Sequence, residues 1–501
     1  MSNRHLMLRF MATALLPMTS FAQPGSATPS KPSPAADNED AIAAANAPVA
    51  VRDAQHPAVR LVGEWLDAMQ MADDAAFVHF MQEYAPGIPG TPEQWLAGRR
   101  QLRGLRFHSV ISTSADGAEL WLFDTNIDSY VIATAKLQAD ALSKIASLAL
   151  QPTDRLPPGA EPPPKLQGAA LIEAVRARVN HYLESGDFSG AVLIAQNDEV
   201  LFQEAYGFAD LAARKPNELD TQFRFGSMGK IFAIVAIMQL VQDGRVDLTA
   251  PIGRYLTDYP NEDIATKVTV ANLLTHTGGT GDIFGPDFQA NRPMLRDLQD
   301  YVDLYGARSP QFAPGSRYAY SNFGFILLGR IVEEVSGLSY DEYLQQNIFG
   351  PADMRSTGHL PESVPLPRRA VAYTGFGSDL QRADETLPFR GTSAGGGYST
   401  VRDLHRFVDA VVSHRLLKAD TLQTLVSGGI TADDGKFHPY DFSGTVQGTG
   451  RFIGHGGGAP GMNGDLQHFL DSGYTVIVLA NRDPNVATYI SSFAAHRLPA
   501  E

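Results

Sequence analysis

Ser227 and Lys230 stand three residues apart in Phe225-Gly226-Ser227-Met228-Gly229-Lys230, just ahead of an apolar run over residues 231–238. On a helix that spacing puts both side chains on one face, one turn apart. The run is apolar on every side and stops at Gly244, the pattern of a helix buried in a large core. A serine hydroxyl needs a base or a nearby cation to become a nucleophile. A desolvated lysine one turn away supplies either, because burial makes its ammonium give up charge more readily. A helix N-terminus adds N–H groups and positive dipole character beside a developing oxyanion. Ser-x-x-Lys occurs by chance about once or twice in a chain of this length. Taken alone, a helix cap followed by a snorkelling lysine is the commoner explanation.

The elements around this pair predict how it is held. A helix over residues 171–183 leads to strand-like residues 190–195, a turn at Asn197-Asp198 and a second strand over 200–205. A long helical region follows, interrupted by Gly- and Pro-rich loops at 277–293 and 361–389. Near the end, residues 452–454, 465–470 and 475–479 read as strands and 484–497 as a closing helix. Strands at both ends with helices between predict one sheet built from the two termini, with a helical layer beside it. A site at the seam between the layers follows from that plan.

The chain has 501 residues, 44% apolar and 19% charged, which is globular and too long for one core. Its formal charge of −15 argues against nucleic-acid partners and against docking on an anionic membrane. The absence of cysteine excludes disulfides, thiolate zinc sites, a thiol nucleophile and a lipidated N-terminal cysteine. Residues 1–22 read as a signal peptide, with Arg4 and Arg9 before an apolar core and Ser20-Phe21-Ala22 as the cleavage site. That predicts a secreted or periplasmic protein with no stable membrane anchor after cleavage. Residues 23–55, rich in Pro, Ala, Ser and Gly, read as a flexible linker.

Residues 56–151 predict a small α+β domain. Val59, Leu61, Val62, Trp65, Leu66 and Met69 recur at helical spacing, and two shorter helices carry Phe77, Phe80 and Met81, then Trp95 and Leu96. Strands follow over 105–112, 119–123, 129–135 and 145–150. The order resembles the NTF2-like or cystatin-like pattern of helices laid on a curved antiparallel sheet. Its His79 and His108 are isolated and read as structural or exposed. Residues 152–168, with Pro157-Pro158 and Pro162-Pro163-Pro164, read as a stiff linker before a second domain over 169–501.

Two further stretches lift Ser227-x-x-Lys230 above chance. One is Tyr318-Ala319-Tyr320-Ser321-Asn322; the other is Gly454-His455-Gly456-Gly457-Gly458-Ala459-Pro460-Gly461. Together the three resemble the serine β-lactamase and penicillin-binding-protein superfamily, in the branch of class C β-lactamases, related esterases, D-aminopeptidases and D,D-carboxypeptidases. The family motifs Ser-x-x-Lys, Tyr-x-Asn and Lys-Thr-Gly or His-x-Gly occur here in order across residues 169–501. Two supporting stretches are Leu273-Leu274-Thr275-His276-Thr277-Gly278-Gly279 and Gly395-Gly396-Gly397-Tyr398-Ser399-Thr400.

The resemblance implies an α+β, β-lactamase-like fold: an antiparallel sheet flanked by helices, plus an all-helical layer. It implies Ser227 as the acylated nucleophile, Lys230 as its electrostatic and proton-transfer partner and Tyr320 as the proton-exchanging phenol. Asn322 would orient the substrate carbonyl or Lys230, and His455, Gly457 and Gly458 would line the substrate and oxyanion site. Ser227 and Gly458 would supply the two oxyanion N–H groups. Beside Lys230 and an imidazole, the Tyr320 phenolate is expected to be favoured. His276 reads as structural, holding the loop after its helix, and Gly229 as leaving room for a neighbouring loop. His455 stands where many β-lactamases carry lysine, and an imidazole that is mostly neutral at pH 7 would grip a substrate carboxylate less firmly.

The expected activity is therefore an exported serine hydrolase working through a Ser227 acyl-enzyme on ester or D-amino-acid amide and peptide bonds. The alternatives are a β-lactamase and a penicillin-binding or sensor protein that does not turn over. No metal or organic cofactor is expected, and the partner is a small-molecule or peptide acyl substrate. Nothing in the sequence sets the oligomeric state.

Overall fold

The computed structural model describes residues 56–500 except 72, 154, 376–379, 384–387, 434 and 447. The expected signal peptide at 1–22 and the whole of the expected linker at 23–55 lie outside the described residues. The described chain divides between Pro163 and Pro164 into two compact units. No described helix is long and apolar enough to cross a membrane.

The first unit packs three helices, α1 (Pro57–Gln70), α2 (Asp74–Tyr84) and α3 (Pro92–Leu102), on a four-stranded antiparallel meander. Its strands are β1 (Leu105–Ser114), β2 (Gly117–Asp124), β3 (Ser129–Gln138) and β4 (Ala141–Pro152). Alternation sorts the sheet faces. Leu120, Leu122, Val131, Ala133 and Ala135 join Trp65, Leu66 and Phe77 in one core. The helix starts follow from local chemistry: Asp73 caps α2, and Thr91 with Gln94 forms a capping box on α3. Arg99 is buried, paired with Asp74 and stacked over the Phe77 ring at 4.9 Å. His79 and His108 belong to no catalytic cluster here; His108 bonds Ser109 and packs edge-on to Tyr130.

The second unit carries the long sheet. Helix α4 (Gly168–Glu184) precedes the hairpin β5 (Gly190–Gln196) and β6 (Glu199–Tyr206). The C-terminal strands are β7 (Ser443–Val446), β8 (Gly450–Ala459), β9 (Met462–Phe469) and β10 (Tyr474–Ala480). They complete a six-stranded antiparallel sheet in the order β7-β8-β9-β10-β5-β6. Both ends of this unit therefore meet in one sheet, as the strand pattern predicts.

Each face of the sheet has its own core. Val192, Ile194, Val476 and Val478 pack with Leu171, Val175 and Val179 of α4 and with Ile490 and Phe493 of the closing helix Val486–Ala495. Leu193, Ala195, Ile477 and Leu479 face the other way, onto the helical layer. The centre of that layer is α5 (Lys230–Gln242), in which Ile231–Met238 are all fully buried. Burying one such side chain is worth about 1.5–3 kcal/mol. Helix α6 (Asn322–Ser336) packs beside it, begun by the Ser321 cap and closed by Gly337 at φ 77°.

Glycine is required where β5 meets β10. A Cβ on Gly190 would lie 1.9 Å from the Leu479 carbonyl oxygen, inside the pairing of Gly190 with Ala480. Gly190→Ala is expected to destabilise the second unit by about 1–3 kcal/mol, as overpacking against fixed backbone does. A lowered thermal midpoint of that unit in calorimetry checks it; an unchanged midpoint contradicts the stated packing.

Candidate active site

Ser227 lies on a 3-10 turn, Gly226–Gly229, that feeds directly into α5 at Lys230. Two glycine-rich backbones grip this turn. Gly226 has φ 54°, and a Cβ there would come within 3.0 Å of the Gly458 nitrogen. A Cβ on Gly457 would lie 2.0 Å from the Phe225 carbonyl oxygen. On the opposite side, the Gly396 N–H donates to the Gly226 carbonyl at 3.0 Å, and Gly395 leaves no room for a side chain against the same carbonyl. Gly229 makes the room expected of it: a Cβ there would be 3.2 Å from Gly395 Cα.

Pairing explains why Gly458 is at hand. Strand β7 pairs only with residues 450–453 of β8, so beyond them that edge of β8 has no strand partner and packs on the Ser227 turn. The amides of Ser227 and Gly458 are thereby brought to one place by backbone alone.

Lys230 is fully buried. Its ammonium donates to Asn322 Oδ1 at 2.7 Å and to the Ala394 carbonyl, and sits 4.9 Å over the Tyr320 ring. Burial pushes its pKa down to about 8, with the carboxylates of Asp441 and Asp282 pulling the other way. Asn322 orients Lys230, and is itself oriented. Its Nδ2 and backbone N–H both donate to Asp282 Oδ1, at 2.9 and 3.2 Å.

The phenol of Tyr320 stays protonated, contrary to the expected phenolate. Burial raises its pKa first and the Asp441 carboxylate raises it further. Lys230 lies 4.9 Å from the centre of the same ring, and its charge does not outweigh those two effects. The Tyr320 hydroxyl is buried beside Ser227, which favours its ionised form slightly, but it makes no hydrogen bond of good geometry.

Asp441 joins two histidines. Its Oδ2 lies 2.9 Å from His276 Nε2 and 2.9 Å from His455 Nε2. His276, at φ 56°, accepts the Ser321 N–H on Nδ1 at 3.1 Å, so its proton sits on Nε2 and points at Asp441. Its ring packs at a tilt against Tyr320, with centroids 4.4 Å apart. His276 therefore holds the Tyr-x-Asn loop, as expected of a structural residue, and seats the phenol as well.

His455 is the larger correction. Its Nδ1 faces the Gly456 carbonyl and its Nε2 faces Asp441, and both of those groups only accept. Only the doubly protonated ring satisfies the two contacts. Burial opposes the charge, and Asp441 outweighs it, so the His455 pKa is raised rather than left near neutrality. Burial also opposes charge on Asp441, and the two imidazoles outweigh that, holding its pKa well below the usual carboxylate range.

Ser227, Tyr320, Asn322 and Gly458 line one cleft with Ile283, Phe284, Phe288, Tyr301, Pro388 and Met462. None of its described lining residues is charged. His455 and Gly457 do not line it: His455 is turned to Asp441, and the Gly457 carbonyl accepts Asn463 Nδ2 at 3.0 Å. A second hollow of about 300 Å³, between Leu256, Tyr259 and Val302, shares no residue with this cleft. Sequence reasoning missed Asp282 and Asp441, which sit in no motif. The available signal was chemical: a buried lysine and two histidines among small residues require anions.

A family model described as beta-lactamase matches residues 175–499. The chain belongs to the β-lactamase family. It is 27% identical over 319 residues to penicillin-binding protein 4* of Bacillus subtilis (strain 168), covering 60% of this chain and 69% of the relative. It is 26% identical over 362 residues to a D-aminopeptidase of Brucella anthropi, covering 67% and 66%. A penicillin-binding protein structure from Bacillus halodurans superposes with TM-score 0.57 at 31% identity, covering 63% of this chain and 98% of that one. The β-lactamase-like fold and the superfamily assignment from the three motifs thus hold for the second unit.

Close packing of β8 on the Ser227 turn makes Gly457 testable within this family frame. Gly457→Ala must move the strand or the turn by more than a side-chain adjustment, since its clash is with backbone. Labelling of Ser227 by a fluorophosphonate is expected to slow by about 10²–10³-fold, the scale of losing one oxyanion donor. An unchanged labelling rate in a folded variant would show that the contact does not position the serine.

Proposed function

We propose that the protein is a serine hydrolase that forms an acyl-enzyme on Ser227, acting on ester or D-amino-acid amide and peptide bonds. The observation that carries this reading is the buried Lys230 with its pKa about 8, one turn from Ser227 and beside an unpartnered Tyr320 hydroxyl. A group poised near the working pH is the useful form of a general base.

In this mechanism Ser227 Oγ attacks the substrate carbonyl carbon while its proton passes through Tyr320 toward neutral Lys230. The Ser227 and Gly458 N–H groups receive the oxyanion. The carbonyl re-forms, the bond to the leaving group breaks, and the same proton returns through Tyr320 to the departing oxygen or nitrogen. Water then adds to the acyl carbon with the same groups in the same order, releasing acid and free Ser227. Every step uses this chain's own residues.

The apolar, uncharged cleft and the tethered His455 support neutral acyl substrates, and the likeness to a D-aminopeptidase supports amide as well as ester bonds. A second reading, a penicillin binder with slow deacylation or a weak β-lactamase, is supported by the likeness to penicillin-binding proteins. The sequence of residues 1–22 supports export, with the activity exercised in the periplasm or outside the cell.

Intact-protein mass with a chromogenic short-chain ester and, separately, with a penicillin tests these readings. Ester turnover lost in Ser227→Ala is expected. A persistent penicillin adduct without ester turnover would move the penicillin-binder reading forward, and rapid penicillin loss the β-lactamase reading.

Two variants test the proton path. Tyr320→Phe is expected to lower kcat by about 10²–10⁴-fold with a smaller change in KM, the usual worth of a positioned proton donor. In the wild type kcat/KM is expected to rise through pH about 8 as Lys230 loses its proton. Between pH 7 and 9 the neutral fraction grows roughly tenfold. A profile that is flat from pH 6 to 9, or that falls, removes Lys230 from the base role.

A further inference from the structure

The cations of the site are both committed inside the protein. Lys230 gives two of its three N–H groups to Asn322 Oδ1 and the Ala394 carbonyl. An imidazolium has two N–H donors, and His455 directs one to Asp441 and the other to the Gly456 carbonyl. The latter contact ties the ring back to its own strand, two residues before Gly458. His276 is held by Ser321 and Asp441 in turn.

The carboxylates nearby lie behind the cleft's uncharged lining. Asp282 uses Oδ1 for the Asn322 side chain and backbone and for the Ile283 N–H, and is only half-buried. Asp441 sits against both imidazoles, and Asp465 lies beneath Gly456, whose missing Cβ would be 3.3 Å from its Oδ1. An anionic group entering the cleft would lose its water in an apolar space and find no free cation among the described lining residues.

We propose that Asp441 makes His455 an internal tether for β8 and not a handle for substrate, so that the site takes acyl donors with no anionic group beside the scissile bond. The substrate class is neutral esters and amides of apolar acyl groups. This deepens the serine-hydrolase reading and rests on it.

The test uses the purified protein with three esters: phenyl butyrate, its 3-carboxyphenyl analogue, and phenyl hemisuccinate. Each kcat/KM is divided by that ester's rate with hydroxide to remove leaving-group reactivity. The neutral ester is expected to be favoured at least fivefold over each carboxylated one. His455→Gln is expected to change all three by a common factor, because the ring does not touch the substrate. A preference below fivefold overturns the proposal. So does a selective loss of the carboxylated esters in His455→Gln, which would mark His455 as their anchor.

Ser227→Ala separates this from the hydrolase reading: surviving ester turnover in that variant refutes the nucleophile, not the selectivity. If no ester is turned over, phenylboronic acid and 3-carboxyphenylboronic acid supply the same comparison as dissociation constants. Fivefold tighter binding of the neutral acid supports the proposal, and equal or reversed binding overturns it.

Discussion

The second unit depends on one expensive burial, the Lys230 ammonium at the head of an apolar helix. An ammonium taken out of water must be paired, bonded or neutralised. Here all three answers are present. Asn322 and Ala394 accept its protons, Tyr320 and Phe325 offer ring faces at 4.9 and 5.3 Å, and desolvation brings its pKa down to about 8. Those partners come from the first turn of α6 and from the glycine-rich loop, so the lysine also fixes the distance of both elements from Ser227. Packing and chemistry make the same demand on the same atom.

The glycines around Ser227 express a second constraint. The Ser227 turn and the end of β8 pack backbone to backbone, at a distance that excludes side chains. Gly226, Gly457 and Gly395 each remove a Cβ that would meet main-chain atoms. This is steric necessity at three adjoining surfaces, and it sets the Ser227 turn between the edge of β8 and the loop that holds Lys230. Rigid backbone positions donors more accurately than side chains with rotamer freedom.

Charge in the site is balanced by carboxylates that no motif contains. Asp282 steadies Asn322, which steadies Lys230; Asp441 steadies two imidazoles, one of which seats Tyr320. The effect of Asp441 on its neighbours has two signs. It raises the pKa of His455 and of Tyr320 alike, favouring a charged imidazole and an uncharged phenol. That is why a histidine expected to be mostly neutral is pushed toward the imidazolium here, and a tyrosine expected to be ionised is pushed toward the neutral phenol. Asp441, two residues before β7, contributes to both, second to burial in the case of Tyr320.

Much of this was legible in the linear chain because it rests on local rules. Alternation gave β2, β3, β9 and β10 within a few residues, and the all-round apolar run gave α5. The spacing of Ser227, Lys230, Tyr320 and Asn322 singled out the groups that the fold brings together, since each motif is contiguous and its side chains share one turn or loop. What the sequence could not contain was the pairing of distant charges. Asp441 is 165 residues from His276 and 14 from His455, and only the folded sheet brings the three together. Protonation states are set by such neighbours and by burial, so they belong to the tertiary structure. The sequence determined the motifs and the elements that carry them; the fold alone decided how their groups are charged, because charge in a protein is a property of surroundings.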